Sequence, residues 1–136
     1  MQQRYTSRRK WGNHKCEYQN IIFDSTKERD RFIVLSNRLA CGEISNLQTQ
    51  VPFVIIPRLE HDEQVQLKTK VKIKKVLDFI ETKYIADFTY YDREGNFVVE
   101  DVKGSKATIT PEFRLKQKLM LHVHGIKVRL IFKANE

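Results

Sequence analysis

The hydrophobic pattern changes period several times along the chain, and each change marks an element. In "IIFDSTKERDRFIVLSNRLACGEI" (21–44), Glu28, Phe32, Leu35 and Leu39 recur at helical spacing. Ser25 suits an N-cap with Glu28 three residues later, the capping-box pattern, and Gly42 suits a C-terminal stop. "NLQTQVPFVIIP" (46–57) becomes apolar and β-branched toward its end and reads as a strand bounded by Pro57. "YIADFTYYD" and "FVVEDVKG" read as two strands joined through "DREGN", a hairpin turn by its Gly and Asn. A second helix is expected over "TPEFRLKQKLMLHVHG", with Pro111 in its first turn and Gly125 closing it, before a last strand in "IKVRLIF".

The order is therefore helix, strand, two-strand hairpin, helix, strand. Two stretches stand outside it. Residues 1–20 are basic and polar and read as an N-terminal arm, pinned by Trp11, leaving 21–136 as one domain. Residues 58–75 alternate only in "VKIKKV" and are expected to form a lysine-rich loop or insertion.

Charges interrupt the apolar strands. Side chains two apart in a strand share a face, so Asp101 and Lys103 point one way and Glu100 the other. If Arg93 to Gly95 make the turn, Asp92 pairs with Asn96 and Asp87 falls opposite Asp101, with Cβ atoms about 5 Å apart. Two facing carboxylates repel each other, and a Mg²⁺ ion bound by both removes the repulsion. The plain alternative is a half-exposed sheet with a cross-strand salt bridge. Against it, both segments look buried, and buried charges need partners.

Glu28 is explained by capping alone, yet it also lies on the apolar stripe one turn before Phe32. On the second helix, Phe113, Lys116, Met120 and Val123 form one stripe, which puts Lys116 at the inner face. A lysine whose stem covers apolar surface explains it equally well. Arg114 and Lys118 form a basic i, i+4 pair on another face, suited to phosphates. Lys106 and the lysines Lys70, Lys72 and Lys74 are further candidate nucleic-acid contacts. His122 and His124 are two apart on a helix and cannot share a ligand, so they read as structural or DNA-facing; His14 and His61 have no partner in view.

Length and composition narrow the class. The chain has 136 residues, 40% hydrophobic and 31% charged, enough for one domain with a real core. No apolar run is long enough for a membrane span and the basic start lacks a signal peptide's apolar segment, so a cytoplasmic protein is expected. Cys16 and Cys41 have neither CxxC spacing nor a neighbouring histidine and read as reduced thiols, not zinc ligands. The net charge of +8 favours a polyanionic partner, nucleic acid before membrane.

The blocks "FDSTKE", "ISNLQTQVPF", "YIADFTYYD", "VVEDVKG" and "FRLKQKLMLHVHGI", with "KWGNHK" at the start, together resemble the PD-(D/E)XK nuclease superfamily. They are closer still to a small family from bacteriophages and prophages, long of unknown function, of Holliday-junction-resolvase-like endonucleases. The resemblance covers nearly the whole chain. It implies an α/β, restriction-endonuclease-like core, helix-strand-strand-strand-helix-strand, with a mixed central sheet flanked by helices. It places the motif aspartate on Asp87, the acid-x-lysine pair on Asp101 and Lys103, and the first-helix acid on Glu28. Ala86 stands where the motif proline would be, and the second acid is Asp101 in place of Glu. The implied activity is Mg²⁺-dependent DNA endonuclease, with Mn²⁺ as a substitute, leaving a 5′-phosphate. Asp87, Asp101 and Glu28 would serve the metal, Lys103 would orient the attacking water and Lys116 would assist at the phosphate. The implied substrate is junction or branched DNA, and two symmetric nicks would require a homodimer. Two other readings stay open: a non-catalytic nucleic-acid-binding protein on the same fold, and a nicking subunit of a transposition or restriction assembly.

Overall fold

The computed structural model describes residues 14–136, so Trp11 and most of the expected arm lie outside the described residues. Eight strands and two α-helices follow in the order β1 (Cys16–Tyr18), β2 (Ile21–Phe23), α1 (Thr26–Ala40), β3 (Ser45–Ile56), β4 (Leu59–Gln66), β5 (Val71–Phe79), β6 (Thr82–Tyr91), β7 (Phe97–Val102), α2 (Pro111–His124) and β8 (Arg129–Ile131). The fold is mixed α/β. Its sheet runs β3-β6-β7-β8, antiparallel except for the parallel β7–β8 pair, and two helices flank it.

Local chemistry sets the helix limits. Ser25 Oγ accepts the Glu28 N–H at 3.2 Å and α1 ends before Gly42, whose φ of +73° suits glycine. Thr110 caps α2 through the Phe113 N–H, Pro111 takes the first turn, and Gly125 closes the helix at φ +68°. The inner stripes are shorter than the sequence pattern. Phe32 and Leu35 are buried on α1, and Phe113 and Met120 on α2, but Leu39 and Val123 at the stripe ends are exposed.

Two apolar clusters hold the helices to the sheet. Phe113 and Met120 of α2 pack with Ile55, Tyr84, Ala86, Val99 and Val128; Phe32 and Leu35 of α1 pack with Phe23, Ile44, Phe88 and Tyr90. Burying each such side chain contributes about 1.5–3 kcal/mol, and Leu35→Ala would cost about 2–5 kcal/mol.

Two regions depart from the sequence reading. Residues 16–23, assigned in part to the arm, form the β1–β2 hairpin, which packs under α1 with Phe23 in the core. Residues 58–75 are not a loop. They make up most of the β4–β5 ribbon, a separate two-stranded antiparallel sheet that makes no substantial contact with any other element among the described residues.

Candidate active site

The β6–β7 hairpin has the register its turn demands. Gly95 takes φ +85°, the Asp92 N–H bonds the Asn96 carbonyl at 2.9 Å, and Phe88 pairs with Glu100. Continuing the register one position puts Asp87 opposite Asp101, and the Asp87 Oδ2 accepts the Val102 N–H at 2.7 Å.

At Asp87 the strand stops alternating. Tyr84 and Ala86 pack into the α2-side cluster, whereas Phe88 and Tyr90, at positions of the same parity, pack into the α1-side cluster. The neighbouring β3 is irregular at the same level. Gln50 lies between the pairs Thr49–Phe88 and Val51–Ala86 and adopts φ +52°, the left-handed region that non-glycine residues rarely enter. Its Nε2 lies 3.4 Å from Asp87 Oδ1. This irregularity re-aims a carboxylate inside an apolar sheet, as strand defects beside functional sites do.

Three carboxylates meet there. Asp101 is buried, with Oδ2 accepting the Tyr84 hydroxyl at 2.8 Å and Oδ1 within 2.9 Å of Lys103 Nζ in an ion pair that lacks hydrogen-bond geometry. The Lys103 ammonium also lies 3.8 Å over the Phe113 ring, a cation–π contact that fixes it. Glu28 enters from the first turn of α1. Lys27 sets its approach, because Nζ bonds the carbonyls of Gly104 (2.6 Å) and Phe132 (3.3 Å) and ties the helix start to the ends of β7 and β8. Ser25 makes its half of the capping box, but Glu28 Oε2 is buried without a partner.

The electrostatics follow from the crowding. Burial, then the charges of Asp101 and Glu28, push Asp87 up to about 7 against the Val102 N–H and Lys103. Burial also raises Glu28, with Asp24 and Asp101 adding to the shift. Burial and the Asp101 charge hold the Tyr84 hydroxyl protonated, a fixed donor to Asp101. Among the described residues, Glu28 Oε2 and Asp101 Oδ1 are the two buried side-chain oxygens with no hydrogen-bond partner. No three His, Cys, Asp or Glu side chains among the described residues already converge as a ready metal site.

The remaining candidates divide. Lys116 lines a cavity of about 320 Å³ with Asp101, Tyr84 and Phe113, so it reaches the same cleft, but its Nζ pairs with Glu112 at 3.3 Å and not with the carboxylate cluster. Lys106 lies in a short 3₁₀ turn after β7, and Arg114 and Lys118 lie on the outer side of α2; all three are exposed. Lys70, Lys72 and Lys74 are on the ribbon, outside the cleft. His124 bonds the Val54 carbonyl at 2.7 Å, a structural role. His61, which shows no partner in the sequence, reaches Asp78 on the paired strand (2.7 Å) and Glu63 on its own (2.9 Å).

On the opposite face, Glu100 turns away from the cluster as strand parity requires. It pairs with the fully buried Arg31 at 2.5 and 2.8 Å and accepts the Tyr90 hydroxyl at 2.5 Å. Tyr84, Gln50, Lys27 and Arg31 are the residues that sequence reasoning missed. A charged residue on an otherwise apolar helix stripe is the signal that could have found Arg31.

The cleft is thus a partly buried acidic cluster with one lysine, at an irregular point in the sheet of an α/β domain. Residues 8–136 match the family model described as protein of unknown function (DUF1064), and the chain belongs to that family. Searches of curated proteins and of solved structures return no match. Among the described residues no helix is long and apolar enough to cross a membrane.

Proposed function

We propose that the protein is a metal-dependent DNA endonuclease that hydrolyses phosphodiester bonds, selective for four-way or branched DNA. The observation that carries the reading is the pair of buried oxygens without a hydrogen-bond partner, Glu28 Oε2 and Asp101 Oδ1, the second facing only the Lys103 ammonium, in a cluster where Asp87 is driven toward neutrality. Unpaired buried carboxylate oxygens are expensive, and hard oxygen donors that repel one another suit Mg²⁺ or Mn²⁺. The donor set fits such an ion, although the three carboxylates would have to close further to hold it together.

Asp87, Asp101 and Glu28 would hold the ion, which when bound would supply Lewis-acid activation of the scissile phosphate and of water. The chain's own groups do the rest. The Val102 N–H and the Tyr84 hydroxyl each occupy one oxygen of Asp87 and Asp101; the second oxygens face only a long Gln50 contact at 3.4 Å and the Lys103 ammonium at 2.9 Å, which an ion would have to displace. Lys103, held on Phe113, presents a cation where negative charge builds in the transition state. Lys116, at the cleft wall, can leave Glu112 for a phosphate oxygen. The net charge of +8 supports a polyanionic substrate.

A second reading, a nucleic-acid-binding protein without catalysis, is favoured by one observation: Lys103 already stands on Asp101 and no three-ligand site is preformed. The deciding experiment incubates the protein with a four-way junction and with a linear duplex of the same sequence, with Mg²⁺ or with chelator. The nuclease reading expects Mg²⁺-dependent cutting, faster on the junction. Binding to both without cutting in Mg²⁺ or Mn²⁺ establishes the binder instead.

A further inference from the structure

The β4–β5 ribbon has a charge gradient along its length. Its root carries Glu60, Asp62, Glu63 and Asp78, whereas the tip-side stretch from Gln64 to Lys75 has no acidic residue and carries Lys68, Lys70, Lys72, Lys74 and Lys75, of which Lys74 and Lys75 stand opposite Glu63 and Asp62 in the register. The root is braced across the strands by His61 with Asp78, and along β4 by His61 with Glu63 and Arg58 with Glu60. The tip is open. Of its five lysines only Lys75 has an ion pair among the described residues, with Asp62 at 3.5 Å, and every tip residue is exposed. The faces differ as well. Lys72 and Lys74 share one side, and Val71 and Ile73, 54% and 65% exposed, share the other.

A free two-stranded hairpin is marginal in water, and an apolar, exposed edge strand invites a partner. We infer that this ribbon is a grip for duplex DNA, its acid-free tip lying in the groove of a duplex arm and its lysines reaching the phosphates on either side. The major groove, about 12 Å wide, admits a two-stranded ribbon. At about 3.3 Å per residue the eight residues of β4 extend roughly 26 Å, enough to lie along or across it. The apolar side can rest on sugar and base edges while the lysines supply sequence-independent affinity. The inference rests on the nuclease reading for its substrate, but the ribbon would grip duplex with or without cutting.

The test is binding in EDTA, where no cleavage occurs. The full chain and a Lys68→Gln, Lys70→Gln, Lys72→Gln, Lys74→Gln variant are titrated with a fluorescent linear duplex over a salt series. Circular dichroism confirms the fold. The slope of log affinity against log salt should become shallower in the variant by about 0.9 per lost phosphate contact, roughly 3–4 in total. A Val71→Ser, Ile73→Ser variant should lose affinity while keeping the slope and the oligomeric state. An unchanged slope in the lysine variant overturns the grip. So does dissociation of a dimer by the Val71→Ser, Ile73→Ser variant, which would make the ribbon a contact between copies. A wild type that binds duplex through these lysines yet never cuts in Mg²⁺ removes the nuclease reading and leaves the grip standing.

Discussion

Two antiparallel hairpins in this chain carry charged residues to opposite ends of the same physics. In β6–β7, Asp87 is half-buried and Asp101 buried in the sheet, where water screens them poorly, and Asp101 Oδ1 is left without a hydrogen bond. In β4–β5, lysines line a ribbon wet on both faces, where no single charge is worth much and only their number matters. Burial turns a few carboxylates into a site with chemical character. Exposure makes many lysines an interchangeable, salt-sensitive surface.

The sharpest way to break the comparison is at the buried hairpin. Asp87→Asn and Asp101→Asn should each abolish Mg²⁺-dependent cutting, a loss beyond the ~10–100-fold that removal of a supporting partner costs. Duplex affinity in EDTA should barely move. Wild-type cutting rates in either variant would remove the cluster from the mechanism.

The next effect is on stability and lies on the sheet's other face. Arg31→Met strands the Glu100 carboxylate in the core, and losing one member of a buried pair costs about 3–5 kcal/mol. Urea denaturation should show this as a lower midpoint. A loss under 1 kcal/mol would mean that Tyr90 alone satisfies Glu100.

Lys103→Met refines the assignment within the cluster. Turnover should fall while Mg²⁺ affinity holds or rises, because the ammonium now competes with the metal for Asp101. Reduced metal affinity with normal turnover would contradict that role.

The smallest effect is a pH dependence in metal-free protein. The folded-state pKa of Asp87, about 7, lies above the unfolded value near 3.8, so the native state holds its proton more tightly. Stability from this group is complete below pH 4 and is lost as pH rises toward 7. Asp87→Asn should therefore raise the Tm at pH 7.5 in EDTA, with the gain vanishing near pH 4. A variant less stable than wild type at pH 7.5 would refute the strained carboxylate.

These predictions rest on features of unequal legibility. The helix ends could be read because Ser25, Gly42, Thr110, Pro111 and Gly125 act locally. The Asp87–Asp101 register could be read because a three-residue turn with Gly95 fixes it. The ribbon was hidden because a hairpin wet on both faces has no need to alternate, so 58–75 carries no strand period over most of its length. Arg31–Glu100 joins residues far apart in the chain, so the helix stripe could turn Arg31 inward but nothing local could name its partner. Gln50 was invisible for another reason: glutamine carries no local preference for a positive φ, so nothing in its own chemistry signals one.

The central claim is that Glu28, Asp87 and Asp101 form one divalent-cation site, and Mn²⁺ binding tests it without any cutting. Titration calorimetry, with electron paramagnetic resonance to count bound Mn²⁺, should be run on wild type, Asp87→Asn and Asp101→Asn in the absence of DNA. Wild type should bind Mn²⁺ and gain thermal stability from it, as a ligand of the native state does. Each variant should lose most of both effects. Equal Mn²⁺ binding by all three proteins, or none by the wild type, would contradict the account.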